Sequence, residues 1–233
     1  MTCKDNVKHS TLHRTLSIVG TPIGNLEDLS PRALRTLREV SVVFAEDTRV
    51  TGKLLSAFDV NTSIQSVNEH TTSDTVRKML VATEGNVAYV TDAGMPGISD
   101  PGGKVVAVAR DIGMDIVTIP GPSAVTAVLS VCGFPTQQFT MMGFPPHKKG
   151  RKAFFESFSA MEHAIVLFES KHRIEKTLAE LPQDRMLCVG RELTKIHEEI
   201  ITGLPSEIMK RLSSTKGEFT IVVAPIKYSN LYV

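Results

Sequence analysis

Val87-Ala88-Tyr89-Val90-Thr91-Asp92-Ala93-Gly94-Met95-Pro96-Gly97-Ile98-Ser99-Asp100-Pro101-Gly102 is the stretch whose reading decides the fold. Its first four residues are apolar, short and bounded by turn residues, which predicts a buried strand. The segment that follows, residues 104–110, has helical composition, with Asp100 placed as N-cap and Pro101 at the first helical position. Between strand and helix lies a loop dense in glycine and proline. Such residues are ordinary turn punctuation. At the carboxyl end of a strand in an open α/β sheet, however, they also mark the edge where ligands bind.

Outward from this loop the same alternation recurs. Strands are predicted at 15–19, 41–45, around 64–67, 87–90 and 116–119, with helices at 30–40, 51–58, 75–83, after Pro101 and at 123–131. Strand–helix alternation of this kind predicts a mainly parallel sheet covered on both faces. Gly133-Phe134-Pro135-Thr136-Gln137-Gln138 changes the texture and reads as a linker. Beyond it, strands at 139–143, 164–168, 186–189 and 219–223 alternate with helices at 150–161, 171–181 and 205–212, and 198–202 reads as an antiparallel neighbour of 186–189. The expected organisation is a polar tail at 1–14, an α/β domain at 15–132, a linker at 133–138 and a second α/β domain at 139–228.

The chain has 233 residues with 42% hydrophobic and 22% charged content, as in ordinary soluble globular proteins. A net charge of +1 argues against holding nucleic acid by bulk electrostatics and leaves room for a local basic patch. Cys3, Cys132 and Cys188 are scattered without a CxxC pair, which disfavours a zinc knuckle or redox dithiol and suits a reduced cytoplasmic compartment. Residues 1–14 lack the apolar core of a signal peptide, and no run is long enough to span a membrane. No G-x-G-x-x-G, Walker, G-x-S-x-G or zincin spacing occurs, and no metal site is expected.

Three Gly/Pro turns follow apolar strands, at residues 20–25, 92–97 and 120–123. Placed at one end of adjacent parallel strands, they would line a crevice with backbone amides and carbonyls. Three charged clusters also follow strands: Glu46-Asp47-Thr48-Arg49, Glu169-Ser170-Lys171-His172-Arg173 and Arg191-Glu192-Leu193-Thr194-Lys195. Singly, each reads equally as a solvated turn with local ion pairs. Together they point to a polar site between the domains. His147-Lys148-Lys149-Gly150-Arg151-Lys152 is a basic run suited to phosphate contact or to a solvated helix start.

The combination of Val19-Gly20-Thr21-Pro22-Ile23-Gly24-Asn25-Leu26, Ala45-Glu46-Asp47-Thr48-Arg49, residues 92–102 and Pro120-Gly121-Pro122-Ser123-Ala124 strongly resembles one family. Phe168-Glu169-Ser170-Lys171-His172-Arg173, Arg191-Glu192-Leu193-Thr194-Lys195 and Lys216-Gly217-Glu218 extend the resemblance, which runs in order from Leu16 to about Pro225. The family is the bacterial ribosomal RNA small-subunit methyltransferase I group of the tetrapyrrole methylase superfamily. The resemblance implies two α/β domains of the class III methyltransferase type, with the active site in the cleft between them. It also implies a cytoplasmic homodimer that uses S-adenosylmethionine to methylate the 2′-oxygen of a cytidine ribose in the decoding region of 16S RNA, on the small ribosomal subunit. By position, the implied cofactor contacts are Ile23, Asp92, Met95, Ser123 and Ala124, with Gly94 and Pro96 in the same loop and Leu167 and Leu193 as looser matches. The chain departs from the family at Met95, where relatives commonly carry Thr, and in ending at Val233, where many relatives continue into a helical extension.

Methyl transfer from a sulfonium needs alignment and a place for the hydroxyl proton. Asp47, Glu169, Glu192 and Lys195 are the candidate bases. Arg49, Arg173 and Arg191 suit phosphate contact because guanidinium offers paired donors, and Lys148, Lys149, Arg151 and Lys171 supply further positive charge toward RNA. Two other readings stay open: methylation of a small tetrapyrrole precursor, whose carboxylates the same cations would suit, and a non-catalytic module that binds the cofactor or the ribosome.

Overall fold

The computed structural model describes residues 14–98 and 100–230. The chain forms two compact units. The first takes in the described chain through Thr21 together with Leu29–Gly121, and the second Pro22–Asp28 and the chain from Pro122 onward.

The first unit is built on five parallel strands, β1 (Thr15–Val19), β2 (Val42–Ala45), β3 (Ser63–Ser66), β4 (Val87–Val90) and β5 (Asp115–Ile119), in the order β3-β2-β4-β1-β5. β4 occupies the middle and all four of its residues are buried, which is what its uninterrupted apolar run predicts for a strand covered on both faces. Its side chains alternate. Val87 and Tyr89 join Leu16, Val76, Leu80, Val105 and Val108 in one core, whereas Ala88 and Val90 join Val19, Ala33, Leu37 and Leu55 in another. Helices α3 (Ser73–Ala82) and α4 (Gly102–Asp111) therefore cover one face and α1 (Pro31–Glu39) and α2 (Thr48–Ala57) the other.

Local chemistry fixes the helix starts. Ser30 Oγ accepts the Ala33 N–H with Pro31 in the first turn of α1. Asp47 caps α2 through the Arg49 N–H, so that helix begins three residues earlier than expected. Thr72 caps α3, which begins at Ser73, two residues before the expected start. Asp100 is not the N-cap of α4; Pro101 holds that position. The Asp100 carboxylate instead accepts the N–H groups of Gly97, Ile98 and Gly102, and so ties the whole loop to the helix start.

The second unit carries β6 (Phe139–Met141), β7 (Ala164–Ser170), β8 (Leu187–Arg191), β9 (Glu199–Gly203) and β10 (Glu218–Val223), in the order β6-β7-β10-β8-β9. Only the β6–β7 pair is parallel, and β9 pairs antiparallel with β8 as expected. Ile165 and Leu167 of β7 face α7 (Ile174–Glu180) and α8 (Pro205–Arg211), while Ala164 and Val166 face α5 (Ala124–Val131). Helix α6 (Arg151–Glu156) is shorter than predicted and continues as a 3-10 turn over Ser157–Ala160. The expected helix at 171–181 begins only at Ile174, leaving residues 171–173 as a turn.

The division between units differs from the linker expected at 133–138. It falls at Gly121, because Val125 and Val128 of α5 bury their small apolar face against Val166, Cys188 and Val222 of the second sheet. The segment Pro22–Asp28, directly after β1, also belongs to the second unit, with Ile23 packed on that same cluster. Of the expected polar tail at 1–14, residues 1–13 lie outside the described residues, and Arg14 is held by the carbonyls of Leu80 and Thr83. Cys132 and Cys188 are free and buried, and burial pushes the Cys188 thiol up to about 11. Among the described residues no helix is long and apolar enough to cross a membrane.

Candidate functional site

In the first unit three turns meet at the carboxyl edge of the sheet. Thr21 and Gly94 exchange two backbone hydrogen bonds of 3.0 and 3.1 Å, which fastens the turn after β1 to the loop after β4. The turn after β5 lies against both. A Cβ on Gly20 would stand 2.6 Å from Gly121 Cα and 2.6 Å from Met95 Sδ, closer than real Cβ atoms come. Only glycine permits that approach. Of the turns expected to converge, at 20–25, 92–97 and 120–123, residues 20–21, 92–97 and 120–121 meet within this unit, built from backbone, and the remaining residues of the first and third belong to the second unit.

Asp92 stands exposed at the mouth of this edge, its Oδ1 accepting the Asp47 N–H at 3.2 Å. Partial desolvation, and then the nearby Asp47 charge, raise the Asp92 pKa above the usual carboxylate range. Glu46 is raised by burial first and by Asp92 second. Asp47 behaves oppositely. It caps α2 and pairs with Arg49 at 2.6 Å, and the Arg49 guanidinium holds it down to about 2. Gly94 and Pro96 are buried in the loop and Met95 is half-buried.

In the second unit, β10 pairs with both β7 and β8, setting Phe219 opposite Glu169 on one side and Arg191 on the other. That register joins two of the three charged clusters, which the sequence separates by some twenty residues, and inserts 215–218 between them. A groove of about 650 Å³ results, lined by residues 170–172, Glu192, Lys195 and residues 215–218. Its carboxylate side is tightly organised. Lys195 Nζ donates to Glu192 Oε1 at 3.0 Å and to Glu218 Oε2 at 2.8 Å, and the Glu218 N–H also donates to Glu192 Oε1. Burial alone would raise Glu192, but the Glu218 N–H and Lys195 outweigh it and hold that carboxylate below its usual range. Burial likewise opposes charge on Lys195, yet Glu218 and Glu192 keep its pKa raised.

The backbone here is strained. Glu192 and Thr194 adopt φ of 50° and 65°, and a β-branched residue rarely occupies that region. Thr194 Oγ1 is buried without a hydrogen-bond partner. Gly217, at φ 121°, lies so close that a Cβ there would sit 2.7 Å from Glu192 Cγ. The Pro22–Asp28 segment packs on the same turn: a Cβ on Gly24 would meet Lys195 Cγ at 2.4 Å and the Leu193 carbonyl at 2.9 Å. Ile23, Ala124 and Leu193 share one apolar cluster, and Leu193 lies in the chain between the groove residues Glu192 and Lys195. Strain and an orphaned polar atom of this kind concentrate at functional sites.

Several expected site residues prove to be structural. Glu169 has a fully buried carboxylate that accepts from Ser170 N at 2.7 Å, Thr177 Oγ1 at 2.5 Å and Arg173 at 2.9 Å, so it has no route to a substrate proton. Arg151 is buried and engaged by Glu180, Thr177 and the Pro146 carbonyl. Arg191 is held by Glu199, Ser213 and the Lys216 carbonyl, and Arg173 by Glu169, Ser170 and the Pro145 carbonyl. These guanidinium groups are used internally rather than offered to phosphate. Leu167 is wholly buried in the core beneath α7 and cannot touch a cofactor. Lys195, protonated between two carboxylates, is no base. Arg49, Lys148, Lys149 and Lys171 remain exposed. His172 entered the sequence reading only as part of its charged cluster, Lys216 and Glu218 only as part of the resemblance, and Thr215 not at all; what brings them to one groove is the strand pairing, which no local motif reveals.

The family model of Tetrapyrrole (Corrin/Porphyrin) Methylases matches residues 15–208. Ribosomal RNA small subunit methyltransferase I of Thermotoga maritima is 42% identical over 216 residues, covering 90% of this chain and 97% of that one. The protein of the same name from Borrelia garinii subsp. bavariensis is 44% identical over 220 residues, covering 90% and 98%. A Synechocystis relative of that name, 41% identical, is covered over 78% of its length, so relatives both of this length and longer occur. Among solved structures, uroporphyrin-III-C-methyltransferase from Thermus thermophilus superposes with a TM-score of 0.63 at 20% identity, covering 94% of this chain and 96% of that one. The cobalamin biosynthetic enzyme cobalt precorrin-4 methyltransferase gives 0.63 at 19%, covering 91% and 95%. These last two establish the fold. With the family model spanning most of its length and relatives above 40% identity covered almost end to end, the chain belongs to the tetrapyrrole methylase family, in its ribosomal RNA small subunit methyltransferase I group.

Proposed function

We propose that this protein transfers a methyl group from S-adenosylmethionine to the 2′-oxygen of a cytidine ribose in the decoding region of 16S ribosomal RNA, on the small subunit. One observation carries the reading: relatives named for that ribosomal RNA match over 97–98% of their own length at 42–44% identity. The porphyrin and precorrin methyltransferases share only the fold at 19–20%.

The residues fit the cofactor. S-adenosylmethionine, when bound, supplies an activated methyl on a sulfonium, so no metal is required. In the first unit the glycine-permitted approach of three turns leaves a backbone-lined edge with one exposed acid, Asp92, suited to ribose hydroxyls or an ammonium group. Gly94, Met95 and Pro96 shape that edge. In the second unit Ser123 precedes α5 without a side-chain cap, leaving its hydroxyl and the first N–H groups of the helix to receive a carboxylate. Ile23, Ala124 and Leu193 offer apolar surface beside it.

Of the four candidate bases, geometry favours Glu192. Glu169 is buried, Lys195 is protonated, and Asp47 is committed to its cap and to Arg49. Glu192 lines the groove and is oriented through Oε1 by two donors, with Oε2 left for the ribose hydroxyl. It accepts the ribose hydroxyl proton as the oxygen engages the methyl carbon. The same reading takes the working form to be a cytoplasmic homodimer, checked by sedimentation of the purified chain.

The test is transfer of labelled methyl to small subunits purified from cells lacking this protein. Label in a single cytidine ribose of 16S RNA is expected, and Glu192→Gln should lower kcat by about a hundredfold or more with cofactor affinity retained. Label on a precorrin and none on RNA would overturn the proposal.

A further inference from the structure

The groove of the second unit sorts its charges across the sheet. The strand order β7-β10-β8 sets Lys171 and His172, then Lys216, then Glu192 and Lys195 side by side. From first to last this spans two strand spacings, about 10 Å. Lys171 and Lys216 are exposed, and neither has a side-chain partner among the described residues. Lys195, in contrast, is shared by Glu192 and Glu218, so that end keeps one negative charge in excess. Glu192 Oε1 takes both of its donors, which leaves Oε2 without a protein partner among the described residues. One end of the groove therefore attracts an anion, and the other can accept a hydrogen bond but repels negative charge.

That polarity selects among ligands. A polycarboxylate long enough to fill the groove would bring like charge against Glu192 and Glu218. A lone phosphate would use only the cationic end. A nucleotide unit within a chain carries a phosphate anion and, one sugar away, a hydroxyl that donates, which matches both ends. On the ribosomal RNA reading above, we propose that this groove seats the target nucleotide, with Lys171 and Lys216 gripping its adjoining phosphate and Glu192 receiving the ribose hydroxyl. The approach of Gly24 and Gly217 to the Glu192–Lys195 turn fixes the accepting end, and the strained backbone there is the cost of aiming it.

The experiment uses the full chain with undermodified small subunits as probe. The double variant Lys171→Ala/Lys216→Ala should raise KM for subunits about tenfold, with kcat changed less than about twofold. The dependence of subunit binding on salt should become shallower by roughly 1.4 in logarithmic slope, the amount for two single-strand phosphate contacts. Cofactor binding by calorimetry and the melting temperature should match the unaltered protein. A control double variant on the same unit, Lys210→Ala/Lys227→Ala, should leave the slope unchanged. An unaltered KM and slope for the groove variant, with the unaltered protein active on RNA, would overturn the groove assignment alone. Absence of any transfer to RNA by the unaltered protein would overturn the parent reading and this inference with it.

Discussion

Replacing Glu169 with alanine separates structure from chemistry at the end of β7. The carboxylate is wholly enclosed and satisfies Ser170 N, Thr177 Oγ1 and the Arg173 guanidinium, and Thr177 passes the network on to Arg151. Removing one partner of a buried pair costs about 3–5 kcal/mol, mostly through the charge left behind. Arg173 keeps the Pro145 carbonyl and Ser170 Oγ and is 16% exposed, so the lower end applies, about 3 kcal/mol. For a chain of this length each kcal/mol is worth about 2–4 °C, so Tm should fall by about 6–12 °C. Scanning calorimetry at neutral pH measures this. Arg173→Ala in the same background should cost less than the sum of the single changes, because it removes the stranded charge. Methyl transfer per folded molecule, assayed well below the lowered Tm, should stay within a few-fold of normal. A Tm within about 2 °C of the parent, with transfer lost by about a hundredfold, would refute the reasoning and return Glu169 to the list of bases.

Other consequences follow from the same geometry. Asp92→Asn keeps an acceptor for the Asp47 N–H while removing a carboxylate that burial and Asp47 already disfavour, so its Tm should be no lower than the parent's and its cofactor affinity weaker by calorimetry. Asp100→Ala frees the N–H groups of Gly97, Ile98 and Gly102 together, and should cost about 1–2 kcal/mol in chemical denaturation while also weakening cofactor binding. For Glu199, burial is outweighed by Ser213 and Arg191, which hold its pKa below the ordinary 4.5. The carboxylate thus contributes stability above that pH and loses it as pH falls through the depressed value. Glu199→Gln should flatten the acid side of the Tm–pH curve. Gly20→Ala forces a methyl against Gly121 and Met95 and should cost about 1–3 kcal/mol, read as a lower Tm.

The parallel sheet of the first unit was legible because β1, β2 and β4 carry short apolar runs closed by turns and followed by helical segments, whereas the edge strand β3, Ser-Ile-Gln-Ser, is mostly exposed. β4 and its glycine-rich loop are the plainest case, and Ser30-Pro31 announced α1 in the same way. The allegiance of α5 was not legible. Its small apolar face suits either sheet, and only packing against Val166, Cys188 and Val222 decides. The groove was hidden for a similar reason: Lys216 and Glu218 reach Glu192 through the pairing of β10 with β7 and β8, a long-range fact. Arg173 and Arg191 misled because a charged cluster at a strand end looks the same in sequence whether it faces solvent or closes a buried network, and Arg151 because a basic run does not show which of its cations turns inward. Asp100 stood where a cap belongs, and its carboxylate turned out to gather the loop as well as the first helical N–H.

The most direct test of the central claim is mass spectrometry of 16S RNA from cells with and without this protein. The account predicts that one 2′-O-methyl group on a cytidine of the decoding region disappears in its absence and returns when the protein is supplied, but not when Glu192→Gln is supplied. An identical ribose methylation pattern in both cells would contradict it.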